Sequence, residues 1–305
     1  MKAHVIQLFL SAILFVYSPD ESLATATRAG FSMPDSLHEV TLKYRDLKNL
    51  IILPVTINDT IKVNLILDTG CRNLVLFGER FNKFFDLHVN KKVQLSGLGS
   101  GNPITGNLAL NNKVAIDAVI GQKIPVVIIP DQKLFATHHR IDGIIGYDIF
   151  IKFEVELNCA QQLITFRPAI EAEISPDYEK ISIRVEDGRP IINSCLLIDN
   201  KRVAFDLMID TGSCLGLLLK TTDLSRFHAT IGASGSILGR GLNGNIKGTN
   251  IVAQRLFLEQ LEIDDVSAGI IYSPWHNYAS VGMDLISGYS LVLNYCKSYA
   301  GFKKA

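Results

Sequence analysis

The chain has 305 residues, of which 48% are apolar and 20% are charged. This apolar fraction is typical of a folded globular protein and excludes a disordered or low-complexity chain. The 30 basic and 30 acidic side chains balance to zero formal charge, and no basic stripe is present, which excludes a protein that binds nucleic acid through its charge. The length accommodates one large domain or two of ordinary size.

The N-terminal segment has the pattern of a secretory signal peptide. Lys2 precedes an apolar run from Val5 to Tyr17, and a small-residue site, Ala24-Thr25-Ala26, follows it. We therefore predict a signal peptide over residues 1–26, a leader over 27–47, and export to the periplasm or the exterior after cleavage. The alternative is that the segment stays uncleaved and anchors the chain in a membrane.

Along the rest of the chain, short β-branched and apolar runs alternate with turn residues. Asn58-Asp59 and Asp199-Asn200 each separate two such runs, as is typical of β-hairpin turns. Short helices are predicted at 79–85 and 147–152. The pattern as a whole predicts an all-β chain with few helices. The predicted strands are 51–57, 61–67, 114–120, 125–129, 153–157, 163–166, 191–198 and 203–209.

The sequence contains an internal repeat. Leu-Ile-Leu-Asp-Thr-Gly at 65–70 recurs as Leu-Met-Ile-Asp-Thr-Gly at 207–212. Downstream, Gly146-Tyr147-Asp148 matches Gly282-Met283-Asp284. Two matched frameworks of this kind indicate a tandem duplication. The units that we predict are a first lobe, a linker and a second lobe at residues 48–167, 168–178 and 179–305.

Each repeat carries Asp-Thr-Gly at the end of an apolar strand. The glycine lets the chain turn sharply beneath the carboxylate, and the threonine hydroxyl can hydrogen-bond to the other copy. A pseudo-twofold axis between the repeats would bring Asp68 and Asp210 together. Two adjacent carboxylates share one proton, because ionising both is costly. The ionised one can then take a proton from water while the protonated one polarises a carbonyl, which is general acid–base hydrolysis of a peptide bond.

These residues resemble the aspartic proteases of the retropepsin-like and pepsin-like group, with two retropepsin-like units in one chain. The resemblance includes the apolar-apolar-Gly segments at 144–146 and 280–282. It implies an all-β, bilobal fold of two pseudo-twofold-related β-barrels with short helices. It also implies that Asp68 and Asp210 are the catalytic pair of an aspartic endopeptidase, a monomer that cleaves polypeptides without a metal or cofactor. The residues that it implies as support for this pair are Thr69, Gly70, Thr211, Gly212 and Ser213.

Glycine clusters lie where each unit of this family has a flap hairpin. Glycine allows the backbone to approach a bound peptide closely and lets a hairpin open and close. The resemblance therefore implies that such a hairpin binds the substrate, and the sequence leaves open which of the two copies works as the flap. The candidate flap residues are Gly97, Gly99, Gly101, Gly239, Gly241 and Gly244.

Some positions depart from the family pattern. Cys71 follows the first Asp-Thr-Gly, where Ser or Ala is usual, while Ser213 follows the second. In the family a hydroxyl there commonly bonds the catalytic carboxylate, and a thiol would be a weaker donor. Ser280 replaces an apolar residue, and residues 95–107 contain no tyrosine of the kind that pepsins carry in the flap. These departures favour the retropepsin-like branch.

Other motifs suggest weaker alternatives. Residues 239–244 match G-x-G-x-x-G, but a dinucleotide site needs a helix after this motif and no helical pattern follows. His138-His139 are adjacent, so their rings cannot lie on one face of a helix or strand, and we expect them in a loop. Asp148 and Asp284 are expected to cap short helices.

The five cysteines include no C-x-x-C motif. Cys159 and Cys296 end matching strands, so a bridge between them is conceivable, although unpaired cysteine is also common in cores. Cys71 could act as a thiol nucleophile, but the duplicated aspartate explains the site better. The rival interpretation from another functional class is a catalytically silent pepsin-fold protein that binds peptides or proteins.

Overall fold

The computed structural model describes residues 29–99, 101–132, 140–221, 236–272 and 278–304. The predicted signal peptide and the His138-His139 pair lie outside these residues. In the first half of the chain, a 3-10 helix at Glu79–Phe84 follows the sixth strand. The other elements of this half are β1 (Gly30–Ser32), β2 (Val40–Lys43), β3 (Arg45–Leu47), β4 (Leu50–Ile57), β5 (Ile61–Leu67), β6 (Leu74–Phe77), β7 (Leu87–Leu95), β8 (Ile104–Ile116), β9 (Val119–Ile129), β10 (Gly143–Ile145), α1 (Tyr147–Phe150), β11 (Phe153–Asn158) and β12 (Leu163–Pro168).

Among its described residues, the second half has elements of the same kinds in the same order along the chain, apart from counterparts of β1 and of the 3-10 helix. Its elements are β13 (Glu179–Ser182), β14 (Arg184–Glu186), β15 (Arg189–Ile198), β16 (Lys201–Asp210), β17 (Leu217–Thr221), β18 (Ser236–Gly241), β19 (Gly244–Leu258), β20 (Leu261–Tyr272), β21 (Ala279–Gly282), α2 (Met283–Ile286), β22 (Tyr289–Asn294) and β23 (Tyr299–Lys304).

Six strands of each half close into a barrel. In the first barrel the pairing runs β4, β5, β10, β6, β9 and β8, and β8 returns to β4. In the second barrel it runs β15, β16, β21, β17, β20 and β19, and β19 returns to β15. The short strands β10 and β21 lie parallel to β5 and β16. The prediction of an all-β fold with two β-barrels and short helices is confirmed.

A third sheet joins the two halves. Its order is β13, β23, β22, β11, β12 and β2, so each half supplies three strands and β11 pairs with β22 at the centre. Val155 pairs with Leu293 across this centre, and Leu157 pairs with Leu291; all four side chains are buried. The apolar contact at the centre of the sheet therefore joins the two halves.

The predicted turn residues explain where the hairpins bend. Asn58 and Asp59 have φ angles of 49° and 61°, and Asp199 and Asn200 have 48° and 60°. Asn and Asp tolerate this left-handed conformation, which the tight turns of β-hairpins require. Asp117, with φ of 51°, makes a similar turn between β8 and β9. The prediction of one strand over 114–120 was therefore wrong, because this turn divides it.

The capping of the short helices differs from the prediction. Gly146 and Gly282 precede α1 and α2, and neither helix has a capping hydrogen bond from a side chain. Asp148 and Asp284 lie inside the first turn of these helices, so the prediction that they act as caps was wrong.

Three short strands lie in the predicted leader. β1 pairs with β9, β2 pairs with β12 and β3 pairs with β4, so this stretch joins the sheets of the first half. The predicted linker, 168–178, runs from the end of β12 to the start of β13. Among the described residues, no helix has both the length and the apolar character needed to cross a membrane.

Candidate active site

The two Asp-Thr-Gly loops meet between the barrels. Asp68 directly follows β5, and Asp210 is the last residue of β16. A Cβ atom at Gly70 would lie 3.0 Å from Oδ1 of Asp68 and 3.5 Å from Oδ1 of Asp210. A Cβ atom at Gly212 would overlap the carboxyl group of Asp68. The two carboxyl groups therefore converge. A side chain at position 212 would occupy the space of the Asp68 carboxyl group, and one at position 70 would crowd it.

The threonines lock the two loops to each other. The N–H of Thr69 donates to Oγ1 of Thr211 at 3.1 Å, and the N–H of Thr211 donates to Oγ1 of Thr69 at 3.0 Å. The Thr69 hydroxyl donates onward to the carbonyl of Ile209 at 2.6 Å, and the Thr211 hydroxyl donates to the carbonyl of Leu67 at 2.9 Å. Both threonines are fully buried, so these four bonds satisfy groups that water cannot reach.

Backbone amides orient the carboxyl groups. The N–H of Gly70 donates to Oδ1 of Asp68 at 2.7 Å, and the N–H of Gly212 donates to Oδ1 of Asp210 at 3.2 Å. Such bonds favour the ionised form of each carboxyl group. They also hold one oxygen of each carboxyl group against its own loop.

The apolar-apolar-Gly segments support the loops from below. The N–H of Asp68 donates to the carbonyl of Ile145 at 2.8 Å, which continues the parallel pairing of β5 with β10. A Cβ atom at Gly146 would overlap the carbonyl oxygen of Asp68, and one at Gly282 would overlap the carbonyl oxygen of Leu215. Glycine is required at both positions because the backbone of the loop occupies the place of a side chain.

Burial and mutual repulsion raise the affinity of the pair for protons. Burial, and next the charge of Asp210, raise the pKa of Asp68 to about 7. Burial also raises the pKa of Asp210, a residue that is 8% exposed. Two carboxyl groups this close hold one proton between them over a range of pH that includes mild acid.

Two cations near Asp68 and Asp210 were not predicted from the sequence. Nε of Arg189, the first residue of β15, donates to the carbonyl of Gly70 at 3.3 Å. Its charge lowers the pKa of both Asp68 and Asp210, against the larger effect of burial. Lys220 on β17 lowers the pKa of Asp210, and burial lowers the pKa of Lys220 itself. A lysine that ends the buried run Leu217–Leu219 was a signal in the sequence, whereas Arg189 had none.

Sequence comparison bears on the first of the two loops. Residues 53–149 match the aspartyl protease family. No curated protein matches the chain. The matched range contains Asp68 and the segment through Gly146, while Asp210 lies outside it. At a general level, the match supports a hydrolase of the protease class.

The residues that follow the two Asp-Thr-Gly motifs make hydrogen bonds within their own loops. The Cys71 thiol donates to the carbonyl of Asn73 at 2.9 Å, and the Ser213 hydroxyl accepts from the N–H of Leu215 at 3.3 Å. Burial, and next the charge of Asp68, raise the pKa of Cys71. Since the thiolate is the nucleophilic form of cysteine, the structure disfavours Cys71 as a nucleophile.

The candidate flap glycines lie in two hairpins whose tips touch. We call β7–β8 the first hairpin and β18–β19 the second hairpin. A Cβ atom at Gly99, where φ is +134°, would lie 2.5 Å from the carbonyl carbon of Asn243. A Cβ atom at Gly101 would overlap the Asn243 oxygen, and one at Gly241 would overlap the Leu98 oxygen. These glycines allow one hairpin to approach the other, whereas the sequence suggested an approach to a bound peptide.

The remaining flap candidates also lie at this junction. A Cβ atom at Gly97 would lie 2.7 Å from Cβ of Leu242 in the second hairpin. Gly244 has φ of +102°, a conformation that favours glycine, and it begins β19 beside the turn. Gly239 differs, because a Cβ atom there would meet the Leu215 side chain at an ordinary 3.5 Å.

The alternative sites have little structural support. Residues 239–244 form the tip of the second hairpin, where Gly241 pairs with Gly244, and a strand rather than a helix follows. No group of three or more potential metal-binding side chains gathers within the described ranges. All five cysteines have free thiols, so Cys159 and Cys296 are not bridged.

Proposed function

We propose that this chain is an aspartic endopeptidase with Asp68 and Asp210 as its catalytic pair. The convergence of the two carboxyl groups on Gly70 is the observation that supports this most. The raised pKa of each carboxyl group suits a pair that shares a proton. The aspartyl protease match of residues 53–149 supports a polypeptide as the substrate.

The proposed reaction uses both protonation states of the pair. The ionised carboxylate takes a proton from a water molecule, and the oxygen of that water attacks the carbonyl carbon of the peptide bond. The protonated carboxyl group donates to the carbonyl oxygen, which becomes a hydroxyl in the tetrahedral intermediate. Proton transfer to the nitrogen then accompanies breakage of the C–N bond. Because the two carboxyl groups supply both acid and base, these steps use protein side chains and water alone.

Arg189 and Lys220 would help the pair to keep one negative charge. Repulsion favours the first proton on the pair, and burial favours a second one, which would leave the pair without a base. The two cations oppose this effect. In the proposed mechanism they therefore extend activity towards lower pH.

Substitution of the pair tests the proposal. Asp68→Asn and Asp210→Asn should each lower the rate of cleavage of a mixed peptide library, assayed from pH 3 to 8, by at least about a hundredfold, because an amide cannot transfer the proton. Asp284→Asn, an exposed position in α2, is the matched control and should keep the wild-type rate. Full activity in both variants would contradict the proposal. An inactive wild-type chain that still binds peptides would favour the silent pepsin-fold alternative.

We also propose that a single chain is catalytically complete. The repeated strand order of the barrels supports an internal pseudo-dimer, because each half contributes one Asp-Thr-Gly loop. The specific rate should therefore stay constant on dilution while sedimentation shows a monomer. A rate that falls steeply on dilution, with activity only in a dimer, would contradict this.

Export is proposed on the sequence of residues 1–26 alone. The apolar run and the Ala24-Thr25-Ala26 site predict cleavage after Ala26. N-terminal sequencing of the protein recovered after expression in its own host should find a chain that begins near Thr27. A chain that still begins at Met1 in the membrane fraction would favour the anchored alternative.

A further inference from the structure

Asn243 lies at the tip of the second hairpin, in the turn between β18 and β19. Although hairpin tips are usually exposed, this residue is only 6% exposed. The residue at the matching position of the first repeat, 142 positions earlier, is Gly101. Only the second hairpin therefore offers an amide side chain at this place.

Both polar ends of the Asn243 side chain bind the first hairpin. Its Oδ1 accepts from the N–H of Gly97, and its Nδ2 donates to the carbonyl of Asn102. The backbone takes part as well, because the N–H of Gly101 donates to the Asn243 carbonyl at 2.6 Å and the N–H of Asn243 donates to the Leu98 carbonyl at 3.2 Å. Asn243 thus makes four hydrogen bonds to one hairpin, and an asparagine side chain supplies the donor and the acceptor that two of them need.

A leucine from each hairpin packs on the opposite barrel. Leu242 of the second hairpin contacts an apolar cluster of the first barrel that contains Val75 and Phe77, and Cys71 beside the first Asp-Thr-Gly also packs there. Leu98 of the first hairpin contacts a second-barrel cluster, against which Leu215 near the second Asp-Thr-Gly also packs. The joined tips are therefore held over both loops.

We infer that Asn243 is a positioning residue that joins the two hairpins into one roof over the carboxyl pair. This proposal rests on the proposed endopeptidase function. Under it, neither hairpin works alone as the flap, because the two hairpins act as one unit. The third sheet already connects the two barrels. The hydrogen bonds of Asn243 connect them a second time, through the hairpins. A peptide enters when this contact opens, and the contact holds the roof in place when it closes.

The test measures hydrogen exchange and kinetics on the full chain. Asn243→Ala removes both side-chain bonds, and Asn243→Asp keeps the acceptor for Gly97 but loses the donor to Asn102. Asn245→Ala is the matched control, because Asn245 is exposed on the same hairpin. Exchange in the peptide that covers 97–102 should be faster in Asn243→Ala and in Asn243→Asp, whose buried carboxylate would face the carbonyl of Asn102, and unchanged in Asn245→Ala. Cleavage should be slower in the same two variants, with kcat/KM roughly thirtyfold lower in Asn243→Ala, because two hydrogen bonds are lost together.

The outcomes separate the two proposals. Exchange over 97–102 that is the same in Asn243→Ala and wild type would overturn the inference. Faster exchange with an unchanged kcat/KM would overturn it too, because the reaction would not use the joined roof. If the wild-type chain cleaves no peptide but the variants show the expected pattern of exchange, the proposed function fails while the contact made by Asn243 stands.

Discussion

Thr69 and Thr211 hold each other's loop by reciprocal hydrogen bonds, 3.1 Å and 3.0 Å long, between the N–H of one residue and Oγ1 of the other. The two residues are 142 positions apart in the chain, yet their contacts are nearly symmetric. Because each precedes the glycine that binds its own carboxyl group, the geometry of the pair depends on both halves at once. The site therefore forms only when the two barrels are docked.

Replacement of Thr211 by valine should destabilise the fold. Valine has a similar shape but leaves the buried N–H of Thr69 and the carbonyl of Leu67 without partners, which costs about 1–3 kcal/mol for each buried group. Urea unfolding should show a lower free energy of unfolding. Thr60→Val is the control, because Thr60 is exposed and makes only a local bond to Asn58. Equal stability of the two variants would contradict the interlocked arrangement.

The charge of Arg189 should set the pH range of activity. Arg189→Leu removes a cation that lowers the pKa of both carboxyl groups, so both limbs of the profile of kcat/KM against pH should move to higher pH. Arg189→Lys retains the charge but not the planar donor to Gly70, and its profile should stay near that of wild type. If Arg189→Leu gives the wild-type profile at a lower rate, the residue acts only on the shape of the loop.

The stability of the protein should fall as pH rises through the range in which Asp68 titrates. The folded protein raises the pKa of Asp68 from 3.8 to about 7, so it binds this proton more tightly than the unfolded chain does. The stabilisation is complete below about pH 4 and is lost as pH rises towards 7. Asp68→Asn should therefore be more stable than wild type at pH 8, by on the order of 4 kcal/mol.

Unfolding by urea at pH 4 and pH 8 checks this prediction. Asp284→Asn, at an exposed position, should show the pH dependence of wild type. A difference between wild type and Asp68→Asn that is the same at both pH values would contradict the assigned proton.

The hairpin glycines should affect activity more than stability. Valine at Gly99 would require a left-handed backbone with φ of +134° and would crowd Asn243, and valine at Gly241 would crowd the carbonyl of Leu98. Each variant should lower kcat/KM at least about tenfold, with little change in the midpoint of urea unfolding, because hairpin tips contribute little to global stability. Gly288→Ala is the control, since a Cβ atom there lies an ordinary 3.7 Å from the Leu285 oxygen. Wild-type activity in both valine variants would mean that neither hairpin acts on the substrate.

The sequence alone determined the features that depend on neighbours along the chain. Asn58-Asp59 and Asp199-Asn200 mark real turns, because these residue types tolerate a positive φ wherever they occur. The apolar runs before both Asp-Thr-Gly motifs predicted strands, since a short apolar run that follows turn residues is a local signal of a buried strand. Asp117 also has a positive φ, but the sequence analysis did not predict a turn there. The strand predicted over 114–120 was wrong for this reason.

Only the tertiary structure decided which distant residues meet. Arg189 reaches Gly70 across 119 positions, and Asn243 reaches Gly97 across 146. No periodic pattern in the sequence predicts either contact, because each depends on the angle at which the third sheet docks one barrel on the other. The same docking decides that the hairpin glycines face each other. A sequence can show that glycine is needed for a close approach, but the approaching group is identified only when both halves are in place.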